Sequence, residues 1–275
     1  MNWQTLSQDL RYGARLLKRS PGLTATIVVT LALAIGANSA IFSLVEAVLL
    51  RMLPVREPHS LVIVRALSRQ GSRDWFSHTD YEWLRDHNRA FSAVSASAVW
   101  KMTLDAGDHK ERVTAELVSG NYFALLGVEP AAGRTITVDD DHQGRLIAVL
   151  SHAYWQRSFA GRDDALGRNL RVDGASLTIV GVAPPGFEGE FAGNPPDFWL
   201  PLGAQPVLAA GGGSTLHTRN VSWLDVMARL RRGVTAAQAQ AGMQPLLESL
   251  RADLRVGSQN DYLGAMTIIS EGVGV

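Results

Sequence analysis

The chain of 275 residues contains no cysteine. It therefore forms no disulfide and offers no thiolate nucleophile, no thiolate ligand for zinc and no iron–sulfur cluster. Lysine is also scarce, and none of Lys18, Lys101 and Lys110 follows a glycine. The Gly-Lys-Ser/Thr loop that cradles nucleotide phosphates is consequently missing. The chain does not hydrolyse ATP by that route.

The sequence has no excess of charge of either sign. Its 26 basic and 26 acidic side chains cancel, so no basic surplus favours nucleic acid and we expect no nucleic-acid partner. The zero conceals an uneven distribution. Residues 1–56 carry six basic and two acidic side chains, net +4, whereas residues 57–275 carry 20 basic and 24 acidic ones, net −4.

Histidine and serine give no site for catalysis or metal binding. No two of the seven histidines stand four residues apart, the spacing of zinc ligands on one helix face. Ser151-His152 is not surrounded by Gly-x-Ser-x-Gly, so we expect Ser151 to cap a helix instead. We predict no catalytic residue, no cofactor-binding residue and no metal ligand. The chain is therefore not expected to be an enzyme or to need a cofactor.

An uncharged run extends from Ser20 to Val45. At helical rise its 26 residues span roughly 39 Å, enough to cross a hydrocarbon core of about 30 Å. Ser20 suits a helix N-cap and Pro21 the first turn. We predict a transmembrane helix at 20–50. A buried soluble helix and a cleaved signal peptide are the alternatives, although the apolar region of a signal peptide is shorter.

Small residues recur within this helix. Ala32, Gly36 and Ala40 lie four residues apart on one face, which permits close approach of another helix. We predict that this stripe packs against a membrane helix of another chain.

The residues before the span alternate apolar and basic side chains at helical spacing. Residues 1–19 are therefore predicted to form an amphipathic interfacial helix in contact with membrane lipid. Basic residues favour the cytoplasmic side and a long domain translocates largely regardless of its charge, so we expect the N-terminus inside and the main domain outside.

The remainder predicts an α+β domain at residues 57–256. A strand–helix–strand unit is expected, with strands at Leu61–Ala66 and Phe91–Trp100 and between them a helix that is capped by Ser77 or Thr79 and runs to about His87. A strand at Trp223–Leu230 and a helix capped by Thr235 follow near the end. We predict one split β-α-β lobe at 57–116 and 221–256.

The residues between these two parts are predicted to form an inserted, mostly-β lobe at 117–205. Asp173-Gly174 is typical of a tight hairpin turn. Three strands and one short helix are expected there, at Ile147–Leu150, Asn169–Val172, Ser176–Val182 and Ala153–Phe159.

Several motifs together resemble those of MacB-like ABC transporter permeases (MacB/FtsX type), in particular the acidobacterial duplicated-permease branch. The resemblance covers nearly the whole chain. It rests on Leu31–Ser43 and Val48–Pro54 in the first part, and on Gly120–Phe123, Leu126–Val128, Gly133-Arg134, Val149–Ser151 with Tyr154-Trp155, Ile179–Phe187, Arg229-Leu230 and Gly233-Val234 in the second.

The resemblance implies a dimeric permease of the bacterial inner membrane, with four membrane helices per unit and a two-lobed periplasmic core domain between the first two. ATP would be bound by a separate ABC ATPase, and a periplasmic adaptor is a possible partner. The chain reaches Val275 before a second span, so residues 257–275 are expected to be a truncated connection toward further helices. A fragment, a split gene and a relic stay open.

We therefore expect a permease subunit that passes ATPase-driven motion to a periplasmic domain for export or efflux. As given, it would be a single-pass protein with its N-terminus cytoplasmic and its main domain periplasmic. The alternative is a stand-alone membrane-anchored binding or adaptor module. An anchored hydrolase would need a converging Ser/His/Asp site, which the sequence does not supply.

Overall fold

The computed structural model describes residues 21–49, 55–68, 73–107, 109–190, 195–209, 213–218, 221–253 and 263–269. The chain divides into two compact units, Met1–Arg51 and Met52–Val275. The interfacial helix predicted at residues 1–19 lies outside the described residues.

The first unit contains helix α1, Pro21–Leu49. The hydroxyls of Thr26 and Thr30 donate to the carbonyls of Gly22 and Thr26, at 3.0 and 2.7 Å, so these polar groups are satisfied within the helix. The helix predicted at 20–50 is thus present. Within the described part of the chain, no helix combines the length and the apolar character needed to cross a membrane. The transmembrane role of α1 stays a prediction.

The second unit is built on one mixed sheet. Its order is β11-β1-β10-β3-β4-β9-β6-β8-β5, with β2 paired to β1 and β7 paired to both β3 and β8. The strands are β1 Leu61–Ser68, β2 Arg73–Asp74, β3 Phe91–Asp105, β4 Lys110–Val118, β5 Ala132–Gly133, β6 Ile147–Leu150, β7 Asn169–Val172, β8 Ala175–Val182, β9 Phe198–Pro201, β10 Asp225–Leu230 and β11 Leu263–Ile269.

Six helices of the second unit lie within the described residues: α2 His78–His87, α3 Tyr122–Leu126, α4 Val138–His142, α5 His152–Phe159, α6 Gln205–Leu208 and α7 Ala236–Asp253. Side chains fix several of their starts. Ser77 and Asp80 form a reciprocal capping box on α2, and Ser151 accepts from the Tyr154 amide at 3.2 Å on α5. Ser151 therefore acts as the predicted cap.

Strand alternation gives the sheet a core on each face. The larger core takes Ala115 and Leu117 of β4, together with Ala239, Met243 and Leu247, which recur every four residues along α7. The smaller core takes residues of the opposite parity, including Val118, Met227 and Trp199, and α3 packs on it through Tyr122, Phe123 and Leu126.

The hairpin predicted at Asp173-Gly174 is confirmed. Both residues have positive φ, 46° and 87°, and Val172 pairs with Ala175 across the turn. Gly174 tolerates this backbone because it lacks a Cβ, and aspartate is among the few other residues that adopt it readily.

The mixed α and β composition is as expected. The lobe boundary predicted between residues 116 and 117 lies within a strand. Residues 116 and 117 lie inside β4, and the same sheet continues from β4 to β9 and β6. The range 257–275, predicted as a connection, contains β11, which pairs antiparallel with β1. The division into two lobes stays a prediction.

Candidate functional site

The chain enters the described part of the second unit through residues 55–60, here called the lead segment. Pro58–Ser60 form a single turn of 3-10 helix, and Glu57 before it has a left-handed backbone with φ 47°. The Ser60 hydroxyl donates to the Glu57 carbonyl at 2.8 Å and closes the turn. Glycine would adopt this φ without strain, so glutamate here costs on the order of 1 kcal/mol. Contacts elsewhere must compensate.

Arg229 supplies most of those contacts. It lies on β10, and its position beside Met227 in the alternation places it on the side of the smaller core. One end of its guanidinium reaches α3, where Nε and Nη2 donate to the Leu125 carbonyl at 3.1 and 2.6 Å. The other side reaches the lead segment.

In the lead segment, Nη2 of Arg229 donates to the Arg56 carbonyl at 2.7 Å and Nη1 donates to the Glu57 carbonyl at 3.2 Å. Nη1 also donates to the Ser60 hydroxyl. We call this set of contacts, made by Arg229 with Arg56, Glu57, Ser60 and Leu125, the Arg229 clamp. The planar fork of an arginine suits it, because five N–H groups in fixed directions can engage several acceptors at once.

The backbone reinforces the clamp. The Arg56 amide donates to the Leu126 carbonyl at 2.8 Å. Gly127 ends α3 with φ 70°, and a Cβ added there would lie 2.5 Å from the Cβ of Arg56. Glycine is therefore required at 127 both by the left-handed conformation and by the close approach of the lead segment.

The clamp keeps a constant charge at physiological pH. Burial lowers the pKa of Arg229 from its usual value, and the nearby Glu57 partly opposes this. The guanidinium stays charged at physiological pH, since the usual arginine pKa is above 12. All the acceptors that the clamp contacts are neutral, so its bonds do not depend on the titration of a carboxylate.

A groove lies on another part of the second unit, between α2 and α7. Its volume is about 680 Å³, and Trp83, His87, Arg89, Gly242, Met243 and Leu246 are among the residues that line it. The rings of Trp83 and His87 stack at 4.4 Å. A Cβ at Gly242 would meet nothing within 4 Å, so the groove is open above this glycine.

Comparison with known protein families identifies the family of this chain. The family model of the MacB-like periplasmic core domain matches residues 24–246. The chain belongs to this family. Since the match begins inside α1 and ends inside α7, it includes most of the first helix, the whole clamp and most of the residues that line the groove.

Curated relatives of the MacB-like domain carry an export function in their names. The "probable export ATP-binding/permease protein MacB" of Pseudomonas entomophila is 25% identical over 130 residues, and so is the "probable syringafactin export ATP-binding/permease protein SyfD" of Pseudomonas syringae pv. tomato. Each match covers 47% of this chain and 18% of the relative. The chain therefore spans less than a fifth of the length of the curated relatives it matches.

Two solved structures share the fold. The periplasmic region of MacB from Actinobacillus actinomycetemcomitans has a TM-score of 0.56 at 15% identity and covers 78% of this chain and 90% of its own. The extracellular domain of the noncanonic ABC-type transporter YknZ from Gram-positive bacteria has a TM-score of 0.55 at 17% identity and covers 76% and 99%.

In this MacB-like chain, the predicted packing stripe falls on α1. Ala32 and Gly36 are exposed, a Cβ at Gly36 would meet nothing within 4 Å, and the side chain of Ala40 lies outside the described residues. The stripe is thus uncovered at the two positions that can be described. Its role in helix packing stays a prediction.

The clamp was not predicted from the sequence of the MacB-like domain. Arg229 was noted only as part of a motif, and nothing in the sequence connects it with Leu125 or Arg56, which lie 104 and 173 residues away. One signal was present: an arginine interrupts the otherwise apolar alternation of the strand at Trp223–Leu230.

Proposed function

We propose that this chain is part of a permease subunit of a MacB-like ABC transporter and that it passes ATPase-driven motion to its periplasmic domain for export. The Arg229 clamp carries this proposal. It fixes the lead segment to β10 in the middle of the sheet and to α3, so a displacement of the lead segment moves the sheet instead of being absorbed in a loose linker. The family match, which extends from α1 into the core domain, supports it.

The proposed topology follows from the sequence. We propose that α1 spans the bacterial inner membrane, with the N-terminus cytoplasmic and the main domain periplasmic, and that residues 1–19 lie against lipid. The uncharged run from Ser20 to Val45 and the net charge of +4 in residues 1–56 support this arrangement.

The proposed partners are a second permease copy and a separate ABC ATPase. The stripe of Ala32, Gly36 and Ala40 suits a helix from the second copy. The names of the curated relatives join an ATP-binding part to a permease, whereas this sequence lacks a phosphate-binding loop. We propose that the ATPase, not this chain, binds ATP, and that this chain works without a cofactor, a metal or a catalytic residue.

The groove is also consistent with the alternative, a membrane-anchored binding or adaptor module that works without a permease. Apolar side chains form much of its lining, and Arg89 supplies a cation, a combination that suits a peptide segment of a periplasmic adaptor. In the permease proposal the same groove is a docking site for an adaptor, so the groove alone does not separate the two.

A purification experiment separates them. The full chain, expressed with its genomic neighbours and extracted in neutral detergent, should copurify with an ABC ATPase and stimulate its ATP hydrolysis. Arg229→Gln should leave the complex intact but reduce the stimulation several-fold, because the lead segment is no longer fastened. Arg232→Gln, an exposed neighbour in the turn after β10, is the matched control. Copurification of an adaptor without any ATPase would favour the alternative.

Topology is testable because the chain is free of cysteine. Ser7→Cys and Ser176→Cys each introduce one thiol, the second at an exposed position on β8. A maleimide that does not cross membranes should label Ser176→Cys in spheroplasts and should label Ser7→Cys only after lysis. Labelling of Ser7→Cys in intact spheroplasts would contradict the proposed orientation.

A further inference from the structure

Two glutamates are buried on the same face of the sheet as the Arg229 clamp. Glu116 lies on β4 and is 2% exposed, and Glu190 lies in the connection after β8 and is 4% exposed. Asp225 starts β10 four residues before Arg229, a separation of about 13 Å along the strand. The smaller core therefore has an acidic group near one end and the clamp at the other.

Hydrogen bonds hold each glutamate by one oxygen. Trp199 Nε1 donates to Glu116 Oε2 at 2.7 Å, and the Ser97 hydroxyl donates to Glu190 Oε1. Within the described part of the chain, Glu116 Oε1 and the Tyr122 hydroxyl are buried without a well-formed hydrogen bond. Glu116 thus has fewer donors than a buried carboxylate needs.

The two glutamates lie in a confined space. A Cβ placed at Gly189 would be 3.0 Å from Glu116 Oε2 and 3.5 Å from the Tyr122 hydroxyl. The connection between β8 and β9 therefore packs directly on Glu116 at the residue before Glu190. Glu116 acts electrostatically on Glu190, and both glutamates act on the Tyr122 hydroxyl.

The titratable groups that face the pair are acidic. Among the described residues they are Asp225 from β10 and Tyr122 from α3, in addition to the two glutamates themselves. The largest influences on the two glutamates are burial, hydrogen bonds and other acidic groups, and no cation is among them. No group of three or more His, Asp or Glu in the described residues is arranged to hold a metal ion. A proton is then the cation that can neutralise the pair.

Burial raises the pKa of Glu116 to about 7, against the hydrogen bond from Trp199, which lowers it. Burial and the neighbouring Glu116 raise the pKa of Glu190 well above its usual value. The neutral acid is the favoured form because a charge without a partner is costly in a low-dielectric interior. Two close carboxyl groups of this kind titrate as a pair.

We propose that Glu116 and Glu190 form a buried proton-binding pair that fastens the β8–β9 connection to the smaller core and makes the stability of this core depend on external pH. The pair contacts α3 through Tyr122 and faces β10 through Asp225, the same two elements that the Arg229 clamp joins to the lead segment. Proton uptake therefore tightens the structure through which the proposed motion passes. This consequence for transport rests on the proposed function, but proton binding itself does not.

The direction of the pH effect follows from linkage. Between the usual range of a glutamate, near 4.5, and about 7, the folded chain binds more protons at Glu116 than the unfolded chain does. Stability contributed by the pair is therefore complete below that usual range and is lost as the pH rises through about 7. The pKa of Glu190 is also raised, so its contribution changes with pH in the same direction.

Carbon-13 NMR of the glutamate side-chain carboxyls in the full chain, held in neutral detergent, tests the pair directly. We expect two carboxyls to titrate above the usual range of a glutamate, one of them near pH 7. The Glu116→Gln spectrum should lack the first signal, and the Glu190→Gln spectrum should lack the second. If all glutamates titrate between pH 4 and 5, the proposal is wrong. This measurement needs no permease partner, so its failure is distinct from failure of the proposed function.

Thermal unfolding of the same variants supplies the second measurement. The Tm of the wild type should rise by several degrees when the pH falls from 8 to 5.5, and the double variant Glu116→Gln/Glu190→Gln should lose most of this rise. Glu129→Gln, an exposed glutamate, is the control and should retain it. The proposal is wrong if the double variant shows the same rise of Tm. It is also wrong if millimolar calcium at pH 8 raises the Tm of the wild type as much as the fall in pH does.

Discussion

The two ends of the smaller core hold side chains of opposite type, a half-buried guanidinium and two buried carboxyl groups, whose hydrogen bonds are satisfied to different degrees. At one end Arg229 donates to the carbonyls of Leu125, Arg56 and Glu57 and to a serine hydroxyl. At the other end Glu116 and Glu190 share few donors and face further acidic groups. The first arrangement suits a permanent fastening. The second suits a structure whose strength changes with protonation.

The difference follows from the chemistry of the two side chains. A guanidinium finds its acceptors in backbone carbonyls, which every strand end and helix end provides. A carboxylate needs N–H or O–H donors, and those of a sheet are already used by neighbouring strands. A buried acid in a sheet face is therefore neutral unless a cation accompanies it.

Removal of Arg229 should give the largest effect. Arg229→Ala leaves the Leu125 and Arg56 carbonyls without this donor and releases the lead segment, which should lower the free energy of unfolding by about 2 kcal/mol. Arg229→Lys keeps the charge but reaches fewer acceptors, so an intermediate loss is expected. Urea unfolding of the full chain in detergent measures both. Arg232→Ala should change the free energy by a few tenths of a kcal/mol, and an equal loss in both alanine variants would contradict the clamp.

A paired glycine substitution isolates the contact between α3 and the lead segment. Gly127 and Gly107 both have positive φ, but only Gly127 has a neighbour, the Cβ of Arg56 at 2.5 Å from an added Cβ. Gly107→Ala should cost about 1 kcal/mol from backbone strain alone. Gly127→Ala should cost at least another 1 kcal/mol or so, because overpacking adds to the strain. Equal losses would show that the lead segment does not pack there.

A third buried acid sharpens the contrast with the glutamate pair. Asp140 is buried, which raises its pKa, but bonds from Arg134 and Thr137 more than compensate and bring the pKa to about 2. Arg145 lies 3.3 Å from its other oxygen. Stability from Asp140 is therefore present above its usual pKa of 3.8 and is lost as the pH falls toward 2.

Asp140→Asn should accordingly lower stability at pH 7 by about 1 kcal/mol, since its arginine partners are partly exposed, and should flatten the loss of stability below pH 4. Glu116→Gln should act in the opposite range, between pH 5 and 8. Urea unfolding at a series of pH values measures both. If both variants change the stability over the same range of pH, the contrast between Asp140, which is paired with arginine, and Glu116, which is not, is wrong.

Local sequence signals predicted much of the fold. The cap at Ser151 and the hairpin at Asp173-Gly174 follow from the sequence, because each signal depends on residues within a few positions of one another. Strand β4 and strand β9 were missed. β4 carries charges at its outer end, Lys110 to Arg112, and β9 has only four residues, so neither shows a long period of alternating apolar residues.

The functional clusters were harder to predict for the same reason. Glu116 and Glu190 look like ordinary surface acids in the sequence, and only the pairing of β4 with β9 brings Trp199 to Glu116. Arg229 acquires its role from α3 and from the lead segment, which the fold brings to β10 from distant parts of the chain. Long-range pairing of this kind leaves no local periodicity.

Hydrogen exchange at the Arg56 amide tests the clamp most directly, because this amide belongs to the lead segment and donates to the Leu126 carbonyl at 2.8 Å. We predict that in the full chain it exchanges as slowly as the Val226 amide in β10, and that Arg229→Gln accelerates it at least tenfold while Arg232→Gln does not. Exchange of the Arg56 amide at the rate of an unprotected amide in the wild type, or an unchanged rate in Arg229→Gln, would contradict the account.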